Sequence, residues 1–234
     1  MNIPHHIAII PDGNRRWARN KRIKPWIGHK YGAEVFKKIL RAAFDLKISY
    51  LSFWGSSLDN LRKRSSLEIK FLLNLFKEKF AELLHNEDIH KHKVKINILG
   101  HWKKQFPKEV SAVMEEVIKA TQNYNKFFLN FFIAYSGKAE MLRAIEEIIK
   151  KEKGNPAPKI TSVLLKKHLF TKDLPPVDYL IRTGGEPHNS DGFMMWDVAD
   201  AQLYFSNKLW PDFTGEDFKK AIKEYSRRRR RFGK

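Results

Sequence analysis

The chain has 234 residues, with 45 Lys or Arg against 26 Asp or Glu and a formal net charge of +19. Hydrophobic residues at 42% and aromatics at 13% exclude a disordered chain and are enough for one sizeable core. No apolar run approaches the ~18 residues of a membrane span, the first residues lack a signal-peptide pattern, and the absence of cysteine excludes disulfides and thiolate metal sites.

In chain order, residues 7–10 form a short apolar strand that ends at the turn Pro11-Asp12-Gly13. Residues 33–46 place Val35, Phe36, Ile39, Leu40 and Ala43 on one helical face. A strand at 50–54 precedes a long helix at 66–84, and 94–98 alternates as a strand. Helix 107–124, strand 127–135 and helix 138–151 follow, then the linker-like stretch 154–158 and a helix at 162–168. Strands at 177–181 and 202–205 come next, and Thr214-Gly215-Glu216-Asp217 opens the last helix with a capping-box pattern. Alternating strands and helices with short connections predict one α/β domain over 1–234, a mostly parallel central β-sheet with helices on both faces.

A charge of +19 points to an anionic partner: nucleic acid, a phospholipid surface or a diphosphate-bearing metabolite. Ligands of parallel sheets gather after the strands, so three segments matter. In the first, Gly13 permits a tight turn while Arg15 and Arg16 offer charge-assisted donors to phosphate. Asp12 repels phosphate unless a hard cation such as Mg2+ bridges the two. The same residues also suit an ordinary Asp-Gly turn with solvated arginines. In the second, Trp54 to Arg64 pairs small hydroxyl residues with Arg62, Lys63 and Arg64; a polar loop capping the long helix is the stronger reading of these residues alone. In the third, Arg182 leaves a buried strand into Gly184-Gly185, with an Arg182–Glu186 salt bridge as the structural alternative.

Other chemistries lack support. The chain holds no Walker loop, no G-x-G-x-x-G after the first strand and no G-x-S-x-G, and its histidines form no convincing metal set. Nucleic-acid binding is not expected, because the aromatics fall in core stretches and Arg227 to Arg231 spread around a helix.

Taken together, the chain resembles the cis-prenyltransferases, the family of undecaprenyl diphosphate synthase. The resemblance runs from His6 to Gly233 and rests on His6 to Ala18, Gly28-His29-Lys30-x-Gly32, Ser57-x-x-Asn60 and Tyr135-Ser136-Gly137. It continues through Leu180 to Glu186, Leu203-Tyr204-Phe205, Leu209 to Phe213 and Arg230 to Gly233. It implies condensation of isopentenyl diphosphate with an allylic prenyl diphosphate, with Mg2+, and a homodimer; the cytoplasm is the location expected from the missing signal pattern and cysteines. The arginine run adds an attraction for an anionic inner membrane surface.

By the same resemblance, Asp12 holds Mg2+ and the allylic diphosphate, cradled by Gly13, Asn14, Arg15, Arg16 and His29 with Trp17 beside them. Ser57 and Asn60, with Leu58 and Asp59 between them, flank the isopentenyl unit, and Asn60 assists proton removal. Arg182 and Ser190 anchor the isopentenyl diphosphate. The chain departs from the pattern at Pro25, where Lys24 is the substitute for a phosphate-binding arginine, and at Ser56, Leu61 and Lys63, the last in an arginine position. His188 replaces a second arginine, a one-residue insertion falls around Asp191-Gly192, and Gln202 replaces a magnesium-binding glutamate. These departures motivate the competing reading of a non-catalytic prenyl diphosphate-binding subunit. The elongating chain also needs a dry tunnel, which helix 66–84, with Phe71 and Leu75 widening its apolar face, is placed to line; core packing explains that stripe as well.

Overall fold

The computed structural model describes residues 2–151 and 159–228. The linker-like stretch 154–158 and the arginines beyond Arg228 fall outside the described residues. Six strands form one sheet: β1 (His6–Ile10), β2 (Tyr50–Trp54), β3 (Val94–Leu99), β4 (Phe127–Phe132), β5 (Tyr179–Arg182) and β6 (Gln202–Phe205). Their order is β3-β4-β2-β1-β5-β6, and every pairing is parallel.

Alternation along the strands supplies two apolar faces. Ile7, Ile9, Leu51, Phe53, Ile96, Ile98, Leu129 and Phe131 enter the larger core. That face is covered by α2 (Ile27–Asp45), α4 (Ser66–Leu84), α7 (Lys108–Thr121) and α10 (Gly215–Arg227), whose buried residues join it. Ala8, Ile10, Phe132 and Leu180 face the smaller core, with Phe193, Met194 and Leu174. On that side lie α8 (Gly137–Lys151), α9 (Ser162–His168) and the irregular segment from Thr183 to Ala201.

The second face also carries a file of polar side chains across four strands. Asn97 Nδ2 donates to Asn130 Oδ1 (2.8 Å), and Asn130 Nδ2 donates to Ser52 Oγ (3.0 Å). Ser52 Oγ lies 2.8 Å from His6 Nε2, and His6 Nδ1 lies 2.9 Å from the Pro175 carbonyl. A carbonyl only accepts, so His6 carries its proton on Nδ1 and the hydroxyl donates to Nε2. Burial pushes the His6 imidazole down to about 4, and every link is satisfied with the ring neutral.

The strands and long helices follow the sequence reading, with α2 starting six residues before the expected 33. Strand 127–135 stops at Phe132, since Ala134 takes φ 50 and turns the chain. The reading missed α1 (Asn14–Asn20), α3 (Leu58–Lys63), α5 (Glu87–Lys91) and α6 (Trp102–Gln105). Each is under two full turns and buries one residue or none, so no apolar period announces it. Two of them, α1 and α3, build the site.

Candidate active site

Connections from β1 run toward β2, whereas β5 continues to β6 on the other side. A reversal of this kind opens a crevice at the carboxyl ends of the strands. Ile10 pairs with Arg182 at that end, and the chain turns immediately after both. Gly13 adopts φ 108, where a Cβ would sit 2.9 Å from Leu209 Cα, so only glycine fits. The Asp12 carbonyl is clamped by Trp210 N (2.9 Å) and Thr183 Oγ1 (2.7 Å). Trp210 is itself fixed, its Nε1 donating to the Gly32 carbonyl at 2.9 Å.

That scaffold aims the Asp12 carboxylate at two guanidinium groups. Arg182 Nη2 donates to Asp12 Oδ2 at 2.9 Å, and Arg16 Nη2 lies 3.4 Å from the same oxygen. Arg182 is only 5% exposed; its Nη1 donates to the His188 carbonyl (2.7 Å), and its Nε has no hydrogen-bond partner. The alternative Arg182–Glu186 bridge is not formed: Glu186 faces Arg16 at 3.7 Å. Gly184, at φ 89, keeps clear the space beside Arg16 Nη2.

A second cluster lies where α1 rests on α2. A Cβ at Gly28 would fall 2.0 Å from the Asn14 carbonyl, and one at Gly32 2.3 Å from Asn14 Oδ1. The glycine spacing therefore exists to let Asn14 dock; its Nδ2 donates to the Pro11 carbonyl, while its buried Oδ1 has no partner. Glu68, 3% exposed in the first turn of α4, lies between Arg15 (3.4 Å) and Arg64 (3.3 Å). Arg64 Nη1 donates to His29 Nε2 at 3.4 Å. Burial, then the charges of Arg64 and Arg15, push His29 down to about 3. The ring is neutral, and because an arginine cannot accept, its proton sits on Nδ1.

The remaining expected residues divide. Ser57 caps α3 by accepting from Asn60 N (3.0 Å), and its strand bridge to Tyr135 fixes α3 beside the mouth. Leu58 is half-buried and packs against the larger core. No hydrogen bond among the described residues ties the Asn60 side chain down. Trp17 braces α1: its Nε1 donates to Asp212 (2.8 Å), and its ring meets Tyr31.

Several expectations need correction. Asp59 and Lys63 pair with each other at 2.6 Å on the solvent side of α3. The inward place belongs to Arg64, 12% exposed against 76% for Lys63, because the chain leaves the helix at Arg64 in an extended conformation. Lys24 is exposed over the Trp26 ring (5.7 Å), outside the cluster. His188 presents its carbonyl to Arg182 while its ring is exposed, and Ser190 is half-buried in the same segment. Gln202 opens β6, three residues before the position paired with Arg182 and thus roughly 10 Å down the strand. There it faces Arg228 at 3.5 Å, so within one chain it does not join Asp12.

Tyr135-Ser136-Gly137 is a brace. Tyr135 N donates to the Ser56 carbonyl, Ser136 Oγ to Asp191, and a Cβ at Gly137 would lie 1.9 Å from the Gly192 carbonyl. From the mouth an apolar groove of about 350 Å3 runs between α2 and α4 over β2 and β4. Its mouth is lined by Pro11, Asn14 and His29, and its walls include Phe36, Leu72, Leu75, Phe76, Phe80 and Phe131. Leu75 lines it as expected, and Phe71 does not.

A basic crevice at the switch point with an apolar groove behind it defines an enzyme that handles a charged head and a long apolar tail. The family described as "Putative undecaprenyl diphosphate synthase" matches residues 10–233. A tritrans,polycis-undecaprenyl-diphosphate synthase (geranylgeranyl-diphosphate specific) of Thermococcus kodakarensis is 39% identical, covering 100% of this chain and 88% of the relative. An isoprenyl transferase of Thermotoga maritima is 38% identical, covering 100% and 98%. The crystal structure of lavandulyl diphosphate synthase from Lavandula x intermedia, in complex with dimethylallyl diphosphate, superposes with a TM-score of 0.90 at 28% identity, covering 99% of each chain. The chain belongs to the undecaprenyl diphosphate synthase family: it is a cis-prenyltransferase, condensing isopentenyl diphosphate with an allylic diphosphate.

Proposed function

We propose that this chain elongates an allylic primer of substantial length into a long cis-polyprenyl diphosphate, with both diphosphates held at the mouth between β1 and β5. The observation that carries this reading is the coupling of a cationic cluster to an apolar groove, since the two halves of a prenyl diphosphate need those two environments. The name of the Thermococcus relative specifies geranylgeranyl diphosphate, and a primer of that kind suits a groove of this depth better than a five-carbon one.

In this reading the Arg182 guanidinium, with its buried free Nε, anchors one diphosphate together with Ser190. Arg15, Arg16, Arg64, the Asn14 amide and the His29 Nδ1–H receive the other. A neutral His29 donates without adding a fourth cation, which keeps Glu68 sufficient to hold Arg15 and Arg64 in place. Charge builds on the leaving diphosphate as the allylic carbon–oxygen bond breaks, and preorganised donors stabilise it as it forms. Asn60, whose side chain makes no hydrogen bond among the described residues, assists removal of the proton lost from the isopentenyl unit.

Mg2+ fits the donor set in a limited way. Among the described residues no group of three acidic or imidazole side chains could hold a metal alone, but Mg2+ commonly takes one carboxylate plus substrate phosphate oxygens and water. Asp12, partly exposed at the mouth, supplies that carboxylate. When bound, the ion neutralises diphosphate charge and polarises the leaving group.

We take a homodimer in the cytoplasm, touching an anionic membrane surface, as the working arrangement; sedimentation and liposome flotation test its two parts. No described helix is long and apolar enough to cross a membrane. Incubation with Mg2+, isopentenyl diphosphate and primers of five to twenty carbons, followed by mass spectrometry, tests the catalytic reading. Long products from the twenty-carbon primer support it; no product from any primer overturns it and favours the non-catalytic subunit.

A further inference from the structure

Toward its far end the groove's lining becomes mixed, with charged residues among the apolar ones. Along α4 the wall is leucine and phenylalanine for three turns beyond Glu68, and then Lys79 and Glu82 join Phe80 and Leu83 in the lining, roughly 16–21 Å along the helix from Glu68 at 1.5 Å per residue. Opposite them α2 contributes Lys37. Lys79 Nζ lies 2.6 Å from Glu82 and 3.3 Å from Glu34; Lys37 Nζ lies 2.9 Å from Glu82 and 3.3 Å from Glu34. Two lysines and two glutamates thus close a ring of ion pairs that joins α2 to α4. Arg41 and Asp88 add a further pair at 3.4 Å on the same rim.

Ion pairs at a protein surface add little to stability when both partners are solvated. This ring differs in placement: Lys79 is only 19% exposed, and the groove runs up against it. An apolar chain growing from the mouth meets paired charges there. To pass, it must separate them or strip them of water, and unpaired charge in an apolar contact is costly. The ring also ties the two helices at a fixed separation and so limits the width of the groove beyond it.

We propose that the Glu34–Lys37–Lys79–Glu82 ring is the stop that sets product length. The proposal rests on the reading that the groove holds the growing chain. Each added unit pushes the tail toward the ring, and elongation slows once the tail reaches it, because the next addition needs space that the ion pairs occupy. Specificity for length then resides in four charged residues that touch neither diphosphate.

The test is the product-length distribution with isopentenyl diphosphate, Mg2+ and a single allylic primer, compared at equal primer consumption. Lys79→Met with Glu82→Met removes the ring's core and is expected to shift the distribution upward by one or more C5 units. Lys37→Met opens the ring from its exposed side, with less risk to the fold, and is expected to give a smaller shift in the same direction. Circular dichroism melts confirm that each variant is folded. Leu75→Trp serves as the reference, since it plugs the groove before the ring and is expected to shorten products. Unshifted lengths in the ring variants with shortened ones in Leu75→Trp overturn the stop and leave the groove reading intact. If Leu75→Trp also leaves lengths unchanged, both ideas fail.

Discussion

The molecule treats buried polar groups in two ways, depending on the face and end of the sheet. On the second face the file Asn97–Asn130–Ser52–His6 is closed, every donor meeting an acceptor and the last proton resting on the Pro175 carbonyl. At the mouth, Arg182 Nε and Asn14 Oδ1 are buried without hydrogen-bond partners, while Arg64 Nε meets Glu68 Oε1 only as an ion pair at 3.3 Å. Other such atoms exist among the described residues, Trp54 Nε1, His101 Nε2 and Asp197 Oδ2 among them, but those at the mouth sit beside an apolar groove that Asn14 itself lines. A satisfied network holds a fold together, whereas an unsatisfied one carries a cost that a ligand can relieve. The two histidines make the same contrast: His6 is bonded through both nitrogens, and His29 has one nitrogen taken by Arg64 and one free to donate.

Substitutions at the mouth should therefore cost turnover and spare the fold, with the reverse at the file. The largest effect is expected from Asp12→Asn, which keeps the shape and removes the charge: turnover should fall about 10³-fold, the scale of losing a transition-state electrostatic partner, with the melting temperature barely changed. A fall in melting temperature matching the loss of activity would erase the distinction. Arg64→Ala should follow, raising the KM for the allylic diphosphate about 10-fold or more, as a charge-assisted contact of roughly 1.5–3 kcal/mol predicts.

Acid separates the regions differently. His6 binds its proton near 6.5 in the unfolded chain but only near 4 in the folded one. Its contribution is fully present above pH 6.5 and is lost as the pH falls toward 4, a total of about 3 kcal/mol at 1.36 kcal/mol per unit. Denaturant titrations at pH 7 and pH 4.5 on wild type and His6→Gln should show a shallower acid loss in the variant; parallel curves would place the loss elsewhere. Asn130→Leu, which breaks the file at its centre, should cost about 2 kcal/mol and lower the melting temperature by about 4–8 °C, with turnover per folded molecule retained. The smallest effect is expected from Lys63→Ala: KM and kcat stay at wild-type values, and a rise like that of Arg64→Ala would restore the assignment read from sequence.

The same contrast explains what the sequence could reveal. Strands such as Ile7 to Ile10 and the helix Ser66–Leu84 announce themselves through apolar period, and Asp12 and Arg182 were legible as charges leaving buried strands. Arg64 was not, because the site depends on which of three neighbouring basic residues follows an extended bond at the end of a six-residue helix. Glu68 carries no signal of its own in the sequence, and only packing shows that it is buried between two arginines. Gln202 misled in the opposite sense: its motif matches in sequence, but the first residue of a parallel strand lies at the wrong end of the sheet.

The central claim is that the unsatisfied donors between β1 and β5 are a diphosphate site. A crystal structure with Mg2+ and an unreactive thio analogue of isopentenyl diphosphate tests it most directly. The account predicts diphosphate oxygens within hydrogen-bond distance of Arg182 Nε, with the ion on Asp12. A diphosphate bound away from the β1–β5 crevice, with Arg182 Nε still unpartnered, would contradict it.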